Sequence, residues 1–511
     1  MTSRSPPISP DRAPHSAAGT PPAAAAAAAL PPFRVRTVTA FVTLTADDFV
    51  STGGDEATGL VFGREAESGL RRKLGRCSSL LRGVRDALES GGYEVQTTRV
   101  ATNPFGEWLF SPGGGGVGGG GGVGGGPSDD PAAEVAAGGG IPGERRLRTL
   151  DSELSRRGIE LCSVGPALSP EQARGVCPLI VRTSRRFCCS AAVEAGDAAM
   201  AAAAAGAVVE ISRLGEAGRE ADGNAHADAD AVPDWLGGGL GNFRFCAASR
   251  VGPHVPFFPA SRGATRTEVP VEVADDGELL VGDGEEVGFA VGLENGGLAR
   301  ELLRRCGSLG RVGDVFRGGM EDALAPLQEL CEGAATEEVW AGEKVRFLGI
   351  DTSLNPSLDP MGSVAEAFEQ LEEVRTFGGG GTLAAAAAVT SALQGLGGIR
   401  TTGYCGLMLP VCEDRRLAEL AAEPQASVRK LRITQLLSIS SVCGVGVDTV
   451  PIPGDSTEEE VAGIVLDVAG LAGRWDKPLS CRMFPHPGKA EGEETTFESP
   501  YLCNSRCFAL Y

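Results

Sequence analysis

Three carboxylates stand at the ends of short apolar runs that have the composition of β-strands. Asp351 ends the run at residues 345–351, Glu413 follows the next such run, and Asp448 lies in a glycine-rich stretch. Side chains at the ends of several strands can meet at one site of an α/β scaffold. We therefore predict that these side chains bind a divalent cation or act as catalytic acid and base. Solvation in loops and helix capping are the alternative roles.

A glycine loop precedes an alanine-rich helix. It consists of Gly378, Gly379, Gly380 and Gly381, and Thr382 follows it. The backbone N–H groups of such a loop point at the helix N-terminus, where they can bind a phosphate or carboxylate. The loop matches neither the dinucleotide-binding pattern nor the P-loop, since no lysine follows the last glycine. The alternative is that the glycines allow close packing and Thr382 caps the helix.

Three side chains that can carry positive charge lie close together near the C-terminus. Arg482, His486 and Lys489 belong to the segment CRMFPHPGK, which its two prolines predict to be a stiff loop. In an acidic chain these groups indicate a clamp for an anionic ligand, and we expect Arg482 and Lys489 to contact it. Pairing with nearby surface carboxylates is the alternative.

Thiols and one histidine are further candidates for chemistry. Cys405, Cys412 and Cys443 fall at apparent strand ends, where a thiol could act as a nucleophile or radical carrier. Free cysteine is more often a small core residue, which is the alternative for all three. His254 precedes a stiff aromatic segment and is a candidate general base.

Strand-like and helix-like runs alternate along the chain, which predicts a mostly parallel α/β sheet or barrel. Strands are predicted at residues 33–44, 93–100, 159–164, 179–184, 187–193, 243–248, 289–293, 345–351, 404–411 and 446–452. Helices are predicted at residues 64–90, 197–213, 294–306, 318–331, 362–374, from 382, at 427–439 and at 456–472. A capping box of Ser456 and Glu459 is expected to begin the last of these helices.

Low-complexity segments separate the core from its surroundings. Residues 1–32 are rich in proline and alanine, and insertions at about 111–143 and 215–241 are rich in glycine, alanine or aspartate. Such segments cannot bury enough apolar surface to offset chain entropy, so we predict a disordered tail and surface insertions. Residues 33–511 are then expected to form a single domain.

Charge and composition exclude several classes of protein. The 511-residue chain has 67 acidic and 46 basic residues and a net charge of −21, which would repel a nucleic-acid backbone. No apolar run approaches the roughly 18 residues of a membrane span. Fourteen cysteines without a CxxC pair fit a reducing compartment. We expect a cytoplasmic protein, with an organellar transit peptide in the N-terminal tail as the alternative.

Seven motifs recur in an order that resembles a known family. They are VRTVTAF at residues 35–41, NFRF at 242–245, PFFPAS at 256–261, FAVGLE at 289–294, GIDTSL at 349–354, CGVGVDTVPIPGDS at 443–456 and PGK at 487–489. Together they look like domain of unknown function 711, also called uncharacterised protein family 0210. The resemblance covers the core from about residue 34 to the C-terminus.

The resemblance implies an architecture rather than an activity. The family is similar in fold to glycyl-radical enzymes of the pyruvate formate-lyase type, which implies an α/β barrel of about ten strands with loops reaching its interior. Those enzymes carry an Arg-Val-x-Gly-aromatic loop near the C-terminus. Here Gly488 is flanked by Pro487 and Lys489, so that order is missing and radical chemistry is not expected. No activity is established for the family, so function does not follow from the resemblance.

The leading hypothesis is an enzyme with an interior pocket for a small anionic metabolite. The glycine loop with Arg482 or Lys489 would hold the anion, while Asp351, Glu413 and Asp448 would bind a cation or transfer protons. The runner-up is a metabolite sensor or regulatory protein that binds its ligand without converting it. The sequence leaves open the substrate, the metal, and whether the chain forms a homo-oligomer.

Overall fold

The computed structural model describes most of the predicted core. The described residues are 33–49, 68–110, 142–215, 235–265, 267–268, 271–273, 279–281, 287–336, 345–424, 426–442 and 445–510. The tail at residues 1–32 and nearly all of the two predicted insertions lie outside these ranges, as does Cys443.

Nine strands of the described chain form one mixed sheet, and two short strands pair separately. The strands of the large sheet are β1 (Arg34–Val42), β2 (Val95–Thr102), β3 (Leu161–Ala167), β4 (Phe187–Ala192), β5 (Phe245–Ser249), β8 (Val287–Glu294), β9 (Val345–Asp351), β10 (Gly446–Pro453) and β11 (Leu479–His486). The separate antiparallel pair is β6 (Val271–Val273) and β7 (Leu279–Val281).

The strand order divides the sheet into two parallel groups. The order is β10-β11-β5-β4-β3-β2-β1-β8-β9. Strands β1 to β5 run parallel to one another, and so do the pairs β10–β11 and β8–β9. The two groups meet at antiparallel junctions, β11 with β5 and β8 with β1. This arrangement confirms the predicted α/β class, in a sheet that is mixed and not closed.

Helices cover one face of the sheet. In the described ranges they are α1 (Gly69–Ser90), α2 (Pro142–Arg156), α3 (Pro170–Gly175), α4 (Cys177–Thr183), α5 (Ala198–Arg213), α6 (Gly296–Cys306), α7 (Arg317–Ala334), α8 (Val364–Phe368), α9 (Thr382–Gln394), α10 (Arg415–Ala422), α11 (Ile433–Ser440) and α12 (Glu458–Trp475). None of the helices in these ranges is long and apolar enough to cross a membrane.

The two faces of the sheet differ in chemistry because side chains alternate along a strand. In β1, Val38, Ala40 and Val42 belong to the main apolar core beneath the helices. On the opposite face of the same strand, Thr37 and Thr39 share a hydrogen bond, and Thr39 donates to the carbonyl of Pro256. The second face is therefore polar, and it is covered by loops rather than by helices.

An extended segment lies between the two end strands of the sheet. Residues 401–410 make isolated parallel bridges that join Thr401 to Ile350 and Leu407 to Leu354, at the β9 edge. A third bridge joins Pro410 to Asp448, in β10. The strand predicted at residues 404–411 is thus present only as this bridged segment.

Two segments differ in type from the sequence-based prediction. Residues 179–184 were expected to form a strand but lie mostly in helix α4, whose first turn contains Pro178. The expected stiff loop with Arg482 and His486 is the buried strand β11. Proline tends to mark an edge or an interruption. Here Pro485 lies beyond the three residues of β11 that pair with β5, so no pairing with β5 is lost.

Helix boundaries shifted at several positions. The capping box of the last helix consists of Thr457 and Glu460, one residue later than the predicted pair of Ser456 and Glu459. The helix expected over residues 362–374 is reduced to α8, and the one expected over 427–439 begins only at α11. The N-cap of α9 is Gly381, so Thr382 does not cap that helix.

Candidate functional site

A buried arginine links two of the predicted carboxylates. On β11, the Nε of Arg482 donates to Oδ1 of Asp448 at 2.6 Å, and its Nη2 donates to Oδ2 at 3.1 Å. The same Nη2 donates to Oε1 of Glu413 at 2.8 Å, and Nη1 donates to the carbonyl of Phe243 at 3.1 Å. These contacts hold the guanidinium and both carboxylates in one orientation.

The ion pairs continue across the polar face of the sheet. The second oxygen of Glu413 accepts a hydrogen bond from Nη2 of Arg36 at 2.8 Å, and Nη1 of Arg36 donates to Glu294 at 2.8 Å. Glu294 also pairs with Arg34 at the sheet's outer end. Opposite charges therefore alternate from β10 to β8, so that each inner arginine contacts two carboxylates.

The carboxylates keep Arg482 charged. Burial on its own would lower the pKa of Arg482, but the neighbouring Asp448 and Glu413 raise it above its ordinary value. The positive charge is therefore permanent, and the two carboxylates are stabilised by it.

Asp448 and Arg482 also border a small cavity of about 30 Å³. The hydroxyl groups of Tyr404 and Ser480, which are hydrogen-bonded to each other, face the same cavity, as does the thiol of Cys246. A space of this size holds one or two water molecules. It is large enough for a reacting group, and too small for a whole metabolite.

The cavity's hydroxyl and thiol are neutral at neutral pH. Burial raises the pKa of Tyr404 well above its ordinary value, and burial likewise raises the pKa of Cys246. Tyr404 is therefore a proton donor or hydrogen-bond donor at this position. Cys246 lacks the thiolate character that a nucleophilic cysteine needs.

Unusual backbone conformations occur beside the cavity. Thr449 has a φ of 43° and immediately follows Asp448, at an irregularity in the pairing of β10 with β11. Cys405, with a φ of 45°, immediately follows Tyr404. Positive φ is costly for residues other than glycine, and such residues cluster at functional sites. The irregularity in β10 fits a strand that is bent to aim the Asp448 side chain.

Asp351 has a different set of partners from the other two carboxylates. Its oxygens accept hydrogen bonds from the hydroxyl and backbone N–H of Ser353 and from the backbone N–H groups of Tyr404 and Cys405. Burial raises the pKa of Asp351, although these hydrogen bonds act in the opposite direction. Asp351 therefore anchors the segment that carries Tyr404, whereas Glu413 and Asp448 share one arginine.

The glycine loop packs against neighbouring chain. The carbonyl of Gly378 accepts a hydrogen bond from Nε2 of Gln435 at 2.9 Å, and Gly381, with a φ of 90°, lies against the carbonyl of Glu373. Thr382 is buried, and its hydroxyl has no hydrogen-bond partner among the residues that the structure describes. These contacts link the loop to α11 and to the chain after α8, not to the arginine of the ion-pair network.

Lys489 lies in an open surface groove of about 580 Å³. Glu493, Glu494 and Glu498 line the same groove, which makes it predominantly acidic. His486 is buried beside it, and its ring stacks on Phe497 with centroids 5.0 Å apart. The structure therefore separates Lys489 from Arg482, which the sequence had placed on one loop.

The candidate thiols and the candidate base are buried or half-buried. Burial raises the pKa of Cys405 to about 11 and raises the pKa of Cys412, so both thiols are protonated at neutral pH. Burial and the nearby Arg262 lower the pKa of His254. Its ring meets the edge of Phe41 at a centroid distance of 5.2 Å.

The described ranges contain no group of three or more His, Cys, Asp or Glu side chains that could hold a metal ion. Two of the three carboxylates named from the sequence are bound by arginines instead.

Several site residues were missed by sequence reasoning. Arg36, Arg99 and Tyr404 were not singled out, although each lies in a predicted strand. A charged residue inside an apolar alternating run is the signal that could have found Arg36, because such a side chain needs a buried partner.

Comparison with known proteins identifies relatives of uniform description. The family model described as "Uncharacterised ACR (DUF711)" matches residues 145–498. A UPF0210 protein of Methanopyrus kandleri is 35% identical over 153 residues, which is 29% of this chain and 32% of that protein. A UPF0210 protein of Desulfovibrio desulfuricans is 30% identical over 243 residues, 45% of this chain and 50% of that protein. The chain thus spans a third to a half of the length of these relatives.

Proposed function

The chain belongs to the DUF711 (UPF0210) family, and on that premise we propose that it is an enzyme in which Asp448 transfers a proton to or from a small anionic metabolite. One observation carries this proposal. Asp448 is held by Arg482 and borders the same cavity as the hydroxyl groups of Tyr404 and Ser480. A general acid or base must be held within reach of the reacting group, and an oriented carboxylate beside a hydroxyl donor meets that requirement.

Each residue named from the sequence has a part in this proposal. Asp448 acts as acid or base, and Glu413 with Arg482 holds it in place. Asp351 acts through the backbone of Tyr404, which it positions. Proton transfer is favoured over cation binding for Asp448 and Glu413 because the charge of Arg482 already balances their carboxylates. Anion contacts from the glycine loop, Thr382 and Lys489 remain separate predictions, since those residues lie on other parts of the structure.

We also propose that the sheet closes into a ten-stranded barrel. The support is the bridged segment at residues 401–410, which contacts β9 at Ile350 and Leu354 and β10 at Asp448. Counting that segment as a strand, the two groups would each contain five parallel strands. The polar face, with Asp448 and Arg482, would then line the barrel interior. The free cysteines of the described chain support the proposal of a cytoplasmic location.

Turnover by an Asp448→Asn variant tests the enzymatic proposal. Full-length protein is incubated with a panel of small carboxylic acids and phosphorylated metabolites, and their consumption is followed by ¹H NMR. The wild type is expected to convert at least one compound. Asp448→Asn should lower the rate by about 10²- to 10⁴-fold, which is the usual contribution of a general acid or base.

The matched control is Asp467→Asn, the same change at an exposed position of α12. It should convert the compound at the wild-type rate. Folding of both variants is checked by circular dichroism, and Tyr404→Phe is a second variant that removes only the hydroxyl group. Wild-type turnover by a folded Asp448→Asn protein would overturn the proposal. A compound that stabilises the protein without being consumed would instead favour the sensor hypothesis.

A further inference from the structure

One arginine on the polar face differs from its neighbours in having no carboxylate partner. Arg99 lies in β2, and its Nε donates to the hydroxyl of Thr97 at 2.9 Å. Within the described ranges, no carboxylate pairs with its two terminal nitrogens. Arg36 and Arg482, by contrast, each contact two carboxylates. The Nη groups of Arg99 are thus available to a ligand.

The position of Arg99 makes an unpaired charge costly. Burial, followed by the charge of Arg36, lowers the pKa of Arg99 to about 10, so the guanidinium remains charged at neutral pH. A charge removed from water without a partner is unfavourable, and structures normally provide it with one. An incoming anion would supply that partner.

Arg99 is connected to the Asp448 cavity by one aromatic ring. The guanidinium carbon of Arg99 lies 4.9 Å from the centroid of the Phe258 ring. Phe258 also lines the cavity that Asp448 and Tyr404 face. A short molecule lying along this ring could reach both the free guanidinium and the cavity.

We propose that Arg99 binds the carboxylate of the substrate, and that the substrate is a short-chain monocarboxylic acid with an oxygen-bearing group at its reacting end. This inference rests on the proposed function at Asp448. A carboxylate matches the two parallel donors that a guanidinium offers through its Nη groups. The reacting end bears oxygen because Tyr404 and Ser480 present hydroxyl groups there.

Charge and volume restrict the ligand further. Arg36 and Arg482 are already balanced by Glu413, Glu294 and Asp448, so only one uncompensated positive charge is available. A phosphate dianion would place its second charge near Glu413, which repels it. The cavity of about 30 Å³ admits a group the size of a hydroxyl or carbonyl. These limits favour a small monoanion.

Binding of sodium acetate to the full-length protein tests the inference. Acetate carries the proposed carboxylate without any reacting group, and its dissociation constant is measured by NMR titration at constant ionic strength. Arg99→Gln should weaken acetate binding at least tenfold, because a charged pair of hydrogen bonds is lost. Arg99→Lys should give an intermediate value. Arg375→Gln, at an exposed position, is the matched control and should bind as the wild type does.

The outcomes separate this inference from the proposed function. Acetate binding should persist in Asp448→Asn, since that residue contacts the other end of the substrate. Unchanged acetate binding in a folded Arg99→Gln protein would overturn the inference, and turnover by Asp448→Asn would still decide the acid–base proposal independently. Chloride or inorganic phosphate binding as tightly as acetate, with the same loss in Arg99→Gln, would overturn the choice of a carboxylate.

Discussion

The backbone N–H of Tyr404 donates to Oδ2 of Asp351 at 2.8 Å. A fully buried carboxylate at the end of β9 thus positions the residue whose hydroxyl faces the Asp448 cavity. The two residues are separated by 53 positions in the chain. Asp351 therefore affects the site through the backbone that it holds.

Asp351→Asn is expected to lower the free energy of unfolding by about 1–3 kcal/mol. The reason is that an amide offers one acceptor and one donor group, so at least one N–H that now meets a carboxylate oxygen would face another donor. Urea unfolding measures the change. Asp322→Asn, at an exposed position of α7, should change stability by less than about 0.5 kcal/mol. Equal midpoints for the two variants would contradict the anchoring role.

Arg482→Ala is expected to be severely destabilising. The change would leave Asp448 and Glu413 buried without their shared cation, which typically costs about 3–5 kcal/mol. The matched control is Arg304→Ala, because Arg304 is 58% exposed and pairs with Glu301 on the surface of α6. That change should cost less than about 1 kcal/mol. Denaturant unfolding of both variants checks the difference, which would have to be near zero to refute the buried network.

Arg99→Met should stabilise the ligand-free protein by about 1 kcal/mol, since it removes a partly buried charge that has no carboxylate partner and keeps an apolar stem of similar length. The measurement is the urea midpoint without added anions. A loss of stability as large as that of Arg482→Ala would show that Arg99 is paired within the protein.

Stability is expected to fall as the pH falls below about 6.5, the ordinary histidine value. Burial lowers the pKa of His254 and of His486, and Arg262 and Lys489 respectively act in the same direction. The unfolded chain therefore binds more protons than the folded one between the ordinary and the lowered pKa. The free energy of unfolding is then highest above that range and decreases as pH drops through it.

Urea midpoints at pH 7.5, 6.0 and 5.0 would measure this effect. The double variant His254→Asn and His486→Gln should show a shallower decrease over the same range. Asparagine is chosen at position 254 because it tolerates the φ of 71° found there. An equally steep decrease in the double variant would assign the pH dependence to other groups.

Gly381→Ala should destabilise the protein by about 1–3 kcal/mol, because a β-carbon would meet the carbonyl of Glu373 at a φ of 90°. Gly380→Ala is the matched control in the same loop, where a β-carbon would meet nothing within 4 Å. That change should be nearly neutral in thermal unfolding. Similar losses at both positions would mean that the loop has a requirement beyond packing.

Much of the fold was predictable from local sequence. In α1, Leu70, Leu74, Leu81 and Leu88 recur at helical spacing and are all buried as predicted. The alternation in β1 likewise predicted a strand. These periods arise from the geometry of a few consecutive residues, so a short window of sequence contains them. The failures at α4 and β11 occurred where short apolar runs and prolines permit more than one structure.

The sequence by itself determined the class of fold, the position of most elements, and the identity of Asp448, Glu413 and Arg482 as candidates. Only the tertiary structure decided which of these side chains meet. It joined Arg36 to Glu413 across 377 positions and separated Lys489 from Arg482. The physical reason is that a local pattern specifies which face of an element is buried, whereas the partner of a buried charge depends on how distant strands are ordered in the sheet.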